Sequence, residues 1–185
     1  MPNWCDTSYV IEGSKRTLKK IKKVLDDSWN EMLILKENLA PRWEGSILSA
    51  LNIKIKEHHH IRGFLETEPI MVNDTIRFHA DEAWGRSDFA ELLQKKFPSI
   101  NIYWMAEEPG FEIYETNDEN GIYFPDRILV EVRVNDNYEH EYFEDEESAY
   151  KWLSERYGIH NAKELEKFNE NEDNHIWFNE FIISE

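Results

Sequence analysis

The stretch WCDTSYVIE, Trp4 to Glu12, is rich in aromatic and β-branched residues and stops at Gly13. An amphipathic pattern begins immediately after it. Ser14 offers an acceptor for the free amides of a helix start. Leu18, Ile21, Val24, Leu25 and Trp29 then recur at spacings of three and four, which lays one apolar stripe along about four helical turns. A strand that feeds such a helix has to bury the stripe against a sheet, so the chain is expected to be a layered protein of the mixed α and β class.

The pattern continues. In LNIKIK, Leu51, Ile53 and Ile55 alternate with Asn52, Lys54 and Lys56, which predicts a half-buried strand within Leu48 to Lys56. TIRFHA, Thr75 to Ala80, predicts another. Ser87 caps a helix that carries Phe89, Leu92, Leu93 and Phe97 on one side and stops at Pro98. Ile100 to Ala106 reads as a central strand. Asn30 to Gly45 has contiguous Met32 to Leu35 and is broken by Pro41 and Gly45, so it reads as a loop or short helix. The order β-α-β-β-α-β predicts an α+β fold, a ferredoxin-like antiparallel sheet with both helices on one face. This domain is expected to span residues 1–121.

Residues 122–185 read as an acidic α+β extension packed on it. Strands are expected at Phe111 to Thr116, at Arg127 to Val134 and, after an NDN turn at Asn135 to Asn137, at Tyr138 to Phe143. Asp145 caps a helix through Tyr157 that buries Ala149, Trp152, Leu153 and Tyr157 and ends at Gly158. A short helix at Ala162 to Phe168 and a last strand, IWFNEFII, follow.

Charge narrows the function. The chain has 38 acidic and 21 basic residues, a formal net charge of −17. Asn135 to Glu185 alone holds 15 acidic and 4 basic side chains. Such a field repels phosphates, so direct nucleic-acid or anionic-membrane binding is not expected. Lys15, Arg16, Lys19, Lys20, Lys22 and Lys23 are a local exception and read as the solvated face of the first helix. Cys5 is the single cysteine, which excludes an internal disulfide and fits a reducing compartment. No basic segment leads into an apolar one, and no apolar run approaches about 18 residues, so a cytoplasmic location is expected.

The start MPNWC, the Trp84 turn within FHADEAWGRSDFAELLQKKFPSINIYW, the Phe97–Pro98 step and Glu108–Pro109–Gly110 occur in one order over Met1 to Gly121. In this the chain resembles the YubB-type ferredoxin-like domain family of plasmid, phage and bacterial genomes. It departs from that pattern at Thr7, where the family has Asn, and at DEAWGRS, where the family has a Ser-Pro-Pro turn. The family's Trp-Gly motif before the second strand is missing. The resemblance implies a fold and a mobile-element setting, and no catalytic residues come with it.

The residues themselves offer two classes of function. EHHH at Glu57 to His60 would place His58 and His60 on one face of a strand, with His79 and Asp81 on a neighbouring strand to complete a metal site, and hence a small metal-dependent enzyme. Against this, structural zinc sites favour Cys or a spaced His pair, and no Walker loop, GxGxxG, HExxH or GxSxG occurs. Cys5 has no placed base and reads as a packed thiol. Carboxylate pairs abound, and abundance alone says nothing of acid-base chemistry. The favoured expectation is a non-enzymatic module, without cofactor, that binds a basic protein partner. Its contact residues would be Glu144, Asp145, Glu146 and Glu147, flanked by the aromatic anchors Tyr138 and Tyr142. In its sharpest form this is a DNA-mimicking inhibitor of a host nucleic-acid-binding or defence protein.

Overall fold

A computed structural model describes residues 3–33, 40–135, 137–171 and 174–184. The fold is α+β and divides into two compact units, Met1–Ile113 and Tyr114–Glu185. The division comes earlier than the expected boundary after residue 121. The first two residues of MPNWC and residues 34–39 of the expected loop lie outside the described residues.

In the first unit β1 (Trp4–Glu12) leads into α1 (Lys15–Trp29), as the pattern requires. Ser14 Oγ accepts from the Thr17 amide at 3.3 Å and closes the helix start. Leu18, Ile21 and Leu25 are fully buried, each stabilising by about 1.5–3 kcal/mol. The Lys-rich face is solvated and internally paired, Lys23 with Asp27 at 2.7 Å and Lys22 with Asp26 at 2.5 Å. After α1 come α2 (Glu44–Ala50), β2 (Gly63–Leu65), β3 (Ile70–Val72), β4 (Thr75–Ala83), α3 (Phe89–Lys96) and β5 (Asn101–Glu108). The strands lie in the order β5-β1-β4-β2, with β3 also on β4, and every pair among them is antiparallel.

Register explains the core. Tyr9 of β1 pairs with Phe78 on one side and Trp104 on the other. Alternate residues therefore share one face: Cys5, Tyr9 and Ile11, then Ile76, Phe78 and Ala80, then Ile102, Trp104 and Ala106. These meet the apolar sides of α1, α2 and α3. Tyr9 stacks on Phe78 at 5.1 Å and meets Phe89 edge-on at 5.8 Å.

The strand expected over Leu48 to Lys56 is not there. Ile47, Leu48 and Leu51 are buried at helical spacing in α2 and its C-cap. Asn52, read as the polar side of a strand, instead takes a left-handed φ of 57° just past the helix. Its amide donates to Ser49 O at 2.9 Å, and the Ile53 amide donates to Leu48 O at 2.9 Å, the paired closure of a Schellman motif. The alternation of LNIKIK straddles a helix stop. Between α2 and β4 the strands are instead the short β2 and β3, both paired with β4.

The second unit contains β6 (Ile113–Thr116), β7 (Ile128–Val134), β8 (Asn137–Phe143), α4 (Glu146–Tyr157), α5 (Ala162–Asn169), β9 (Asn174–Glu180) and β10 (Ile182–Ile183). β10 runs parallel to β6, and β8-β7-β9 form an antiparallel sheet. Ile128, Val130, Val132 and Ile176 from that sheet bury against Ala149 and Leu153 of α4, with Trp152 and Tyr157 only partly buried. The expected final strand is two, because buried Phe181 separates them and its amide donates to Arg127 O at 2.8 Å. Within NDENG the Asp118 carboxylate accepts from the amides of Ile122, Tyr123 and Phe124 at 3.0, 2.6 and 2.9 Å. Asn135 has a φ of 48° between β7 and β8, while Asp136 of the expected NDN turn lies outside the described residues.

Replacing Asn52 by Val tests the helix stop. A β-branched residue held at positive φ is expected to lower stability by about 1–2 kcal/mol in denaturant unfolding, whereas Asn52→Gly is expected to be neutral or stabilising. A strand at this position would rank the two variants in the opposite order.

Candidate functional site

Extending the core face of β4 beyond Ala80 places Glu82 in the interior, and the same parity on β5 places Glu108 there. Both are fully buried. Thr7 Oγ1 donates to Glu82 Oε2 at 2.7 Å, Tyr9 OH donates to Oε1 at 2.7 Å, and the Ser87 amide donates to Oε2 at 3.0 Å. A second carboxyl, Glu44 at the start of α2, is only 1% exposed and takes a hydrogen bond from Ser87 Oγ at 2.5 Å. Ser87 Oγ in turn accepts from the Phe89 amide at 3.0 Å and so ties the pair to the start of α3. Burial, followed by the charge of Glu82 and a hydrogen bond with it, holds the Glu44 acid well above the usual carboxyl range. Space for this carboxyl exists because residue 63 is glycine: a Cβ there would lie 2.5 Å from the Glu44 carboxyl carbon. Both carboxyls are out of contact with solvent, so the geometry is that of an interior polar nest.

Cys5 lies in the same row, opposite Glu82 in the β1–β4 register. Its thiol is fully buried, and burial pushes its pKa up to about 12, with the Thr7 hydroxyl opposing and the charges of Glu82, Glu108 and Asp6 adding to the rise. Thiolate chemistry at neutral pH is therefore suppressed. Trp4, on the opposite face of the strand, is 48% exposed. Arg86 lies over the Trp104 ring at 4.0 Å and is paired with Glu91.

The histidines occupy separate settings. Residues 57–59 form a turn and not a strand, so the expected shared face of His58 and His60 does not arise. His58 packs against the His59 ring at 4.5 Å. The His60 amide donates to Asp88 Oδ2 at 2.9 Å, and its Nε2 donates to Ala83 O at 2.9 Å. His79, on β4, lies 3.0 Å from Ser8 Oγ and 3.6 Å from Asp6; the hydrogen bond to Asp6 raises its pKa against the effect of partial burial. Glu57 joins none of these contacts. Among the described residues, no group of three or more His, Cys, Asp or Glu is placed to hold a metal ion.

In the second unit Asp145, Glu146 and Glu147 stand at the start of α4, preceded by exposed Glu144. The Ser148 amide, 2.8 Å from Asp145 Oδ1, caps the helix and holds that carboxyl below its ordinary range. Beside it is a cavity of about 310 Å³ lined by Asp145, Glu146, Glu180, Arg127, Tyr150 and Phe178. The Tyr150 and Phe178 rings stack in its wall at 5.2 Å. A wider concavity on the next turns of α4 shares Glu146 and Tyr150 and adds Glu147 and His160. Tyr138 and Tyr142 lie on β8 with His140 between them, ring centroids 6.0 and 6.1 Å apart in succession. Tyr138 OH donates to Glu131, so this ladder belongs to the outer side of the sheet and the acidic cavity to the helix side. The expected contact residues thus fall in two places.

Glu44 and Glu82 were not among the expected site residues. Glu82 was signalled only by strand parity, and Glu44 by nothing local. Among the described residues, no helix is long and apolar enough to cross a membrane.

Cys5 gives a direct check on the nest. In the native protein its reaction with a disulfide reagent at about pH 8 is expected to be slower than that of a free thiol by orders of magnitude, becoming ordinary once denaturant unfolds the first unit. Fast native labelling would contradict the burial described. In comparisons with known proteins, no family model, no curated protein and no solved structure matches the chain.

Proposed function

We propose that the chain is a non-enzymatic binding module whose second unit receives a basic protein partner. The observation that carries this reading is where the charge lies. From Tyr114 to Glu185 there are 20 acidic and 6 basic residues, a net of −14 out of −17 for the chain. A surface of this sign accelerates encounter with cationic partners and repels nucleic acid. The cavity beside α4 supplies a specific contact: a lysine or arginine head could lie against the Tyr150 ring with Asp145, Glu146 and Glu180 around it. Glu144 and Glu147 extend the acidic rim, and Tyr138 and Tyr142 offer aromatic anchors on the other side of the same sheet.

In this reading the first unit is a ferredoxin-like scaffold. The order β5-β1-β4-β2, with α1 and α3 as its crossovers, supports that assignment, with β2 and β3 together standing in for one strand. The resemblance of its opening and Trp84 segments to the YubB-type family points to a mobile-element setting. There the natural targets of an acidic surface are nucleic-acid-binding host proteins, with carboxylates taking the place of backbone phosphates.

The test compares two triple variants of equal net charge, using an Arg-rich peptide as probe. Asp145→Asn with Glu146→Gln and Glu147→Gln keeps the helix cap and removes two of the cavity's three carboxylates together with the rim charge of Glu147. Glu155→Gln with Glu166→Gln and Glu170→Gln removes three exposed charges elsewhere in the unit. The first is expected to weaken binding about tenfold more than the second, and about 0.5 M salt is expected to abolish the wild-type interaction. Equal effects of the two triples would reduce the binding to bulk charge and remove the case for this site.

A further inference from the structure

The two interior carboxyls of the first unit are not equivalent. Glu82 takes three donors on its two oxygens, from Thr7, Tyr9 and the Ser87 amide, which is the coordination of a charged carboxylate. Glu44 has Ser87 Oγ on Oε2 at 2.5 Å, while among the described residues its buried Oε1 has no donor. An oxygen that finds no donor, on a buried acid that shares Ser87 with a second carboxyl, is where a proton belongs. There it donates to Glu82 and satisfies both groups.

We propose that Glu44 and Glu82 share one proton and so form a latch that fastens α2 to the first sheet and releases it as pH rises. This is independent of the binding role of the second unit. With the proton lost, two negative charges face each other out of contact with water. Arg86, the cation whose charge acts on Tyr9, is held by Glu91. Glu82 cannot retreat, because it sits in β4 between β1 and β2. Glu44 is held less firmly: it is the first residue of a seven-residue helix whose N-cap, Trp43, makes no side-chain capping bond and is tied by its Nε1 to Ile61 O at 3.3 Å and by a bridge to Phe64.

The groups facing the pair are few. β1 contributes Tyr9 and, in the next rows, Thr7 and Cys5; the turn before α3 contributes Arg86 and Ser87; β5 contributes Glu108 through its charge on Cys5. The buried side chains of α1 are Leu18, Ile21, Leu25 and Ser28, those of α3 are Phe89, Ala90, Leu92 and Leu93, and β2, which packs on α2, is Gly63, Phe64 and Leu65; none of these titrates. Glu44, Tyr9 and Cys5 all bind their protons more tightly in the folded state. The stability this contributes is complete below the unfolded carboxyl pKa and is lost as pH climbs through the raised folded value of Glu44, with Tyr9 and Cys5 acting in the same direction at higher pH.

Hydrogen exchange of the full chain between about pH 6 and about pH 9, corrected for intrinsic rates, tests this. Protection of residues 44–51 is expected to fall about tenfold per pH unit above the titration of Glu44, ahead of α1. Glu44→Gln, whose amide reproduces the donor and acceptor of the neutral acid, is expected to hold that protection flat over the same range. The proposal is overturned if wild type and variant lose protection in parallel, if α1 and α2 open together, or if Glu44→Gln fails to fold at about pH 6.

Discussion

β1 is the element on which the first unit hangs. All nine of its residues pair with β4, and Asp6 to Glu12 also pair with β5, so it is hydrogen-bonded on both edges over most of its length. A strand paired on both sides has no freedom to slip, because a shift of one residue would turn Cys5, Thr7, Tyr9 and Ile11 away from the helices and bring Asp6 and Ser8 in. The face this register selects is apolar at one end, where Ile11 meets Ile76 and Ile102, and polar at the other. The change falls at Tyr9, whose ring belongs to the aromatic cluster with Phe78 and Phe89 and whose hydroxyl belongs to Glu82. One side chain thus joins the hydrophobic core to the buried acids.

Those acids would be costly in isolation. A carboxylate taken from water without partners loses far more than a hydrogen bond returns. Three donors offset that for Glu82, and a retained proton offsets it for Glu44. Among the described residues, Glu108 has both oxygens buried without a hydrogen-bond partner. The small residues of this region follow from the same geometry: Gly63 leaves room for the Glu44 carboxyl, and Ser87 serves Glu44 with its hydroxyl and Glu82 with its amide. Thr7 supplies one of the three donors.

The periodic elements were legible in the sequence because burial imposes them directly. The stripe of α1 with its Ser14 cap, the helix from Asp145 to Gly158 and the strands on either side of Asn135 all lie where residue spacing puts them. LNIKIK misled for a definite reason: Asn is among the few residues that accept a left-handed φ, and a helix stop at exposed Asn52, between buried Leu51 and partly buried Ile53, copies the alternation of a strand. The histidines misled with it, since His58 and His60 share a face only if that strand exists. The carboxyl pair was half visible, because extending the parity of Ile76, Phe78 and Ala80 by one step reaches Glu82. Its partner, 38 positions earlier in the chain, is brought there by α2 packing, which no local pattern encodes.

Carboxylates therefore do opposite work in the two units. In the first, 18 acidic residues are nearly balanced by 15 basic ones, and the informative acids are those withdrawn from water, where protonation decides whether an element stays in place. In the second, Asp118 is buried under three backbone amides, while Asp145, Glu146 and Glu147 lie exposed at the start of α4. Asp145 shows the contrast with Glu44 most clearly: both stand at the start of a helix, but the exposed one is drawn below its ordinary pKa by the Ser148 amide, and the buried one is driven above its own by desolvation. Solvent access sets the sign in each case. A surface that must attract a cation at neutral pH needs the first arrangement, and a latch that must respond to a proton needs the second.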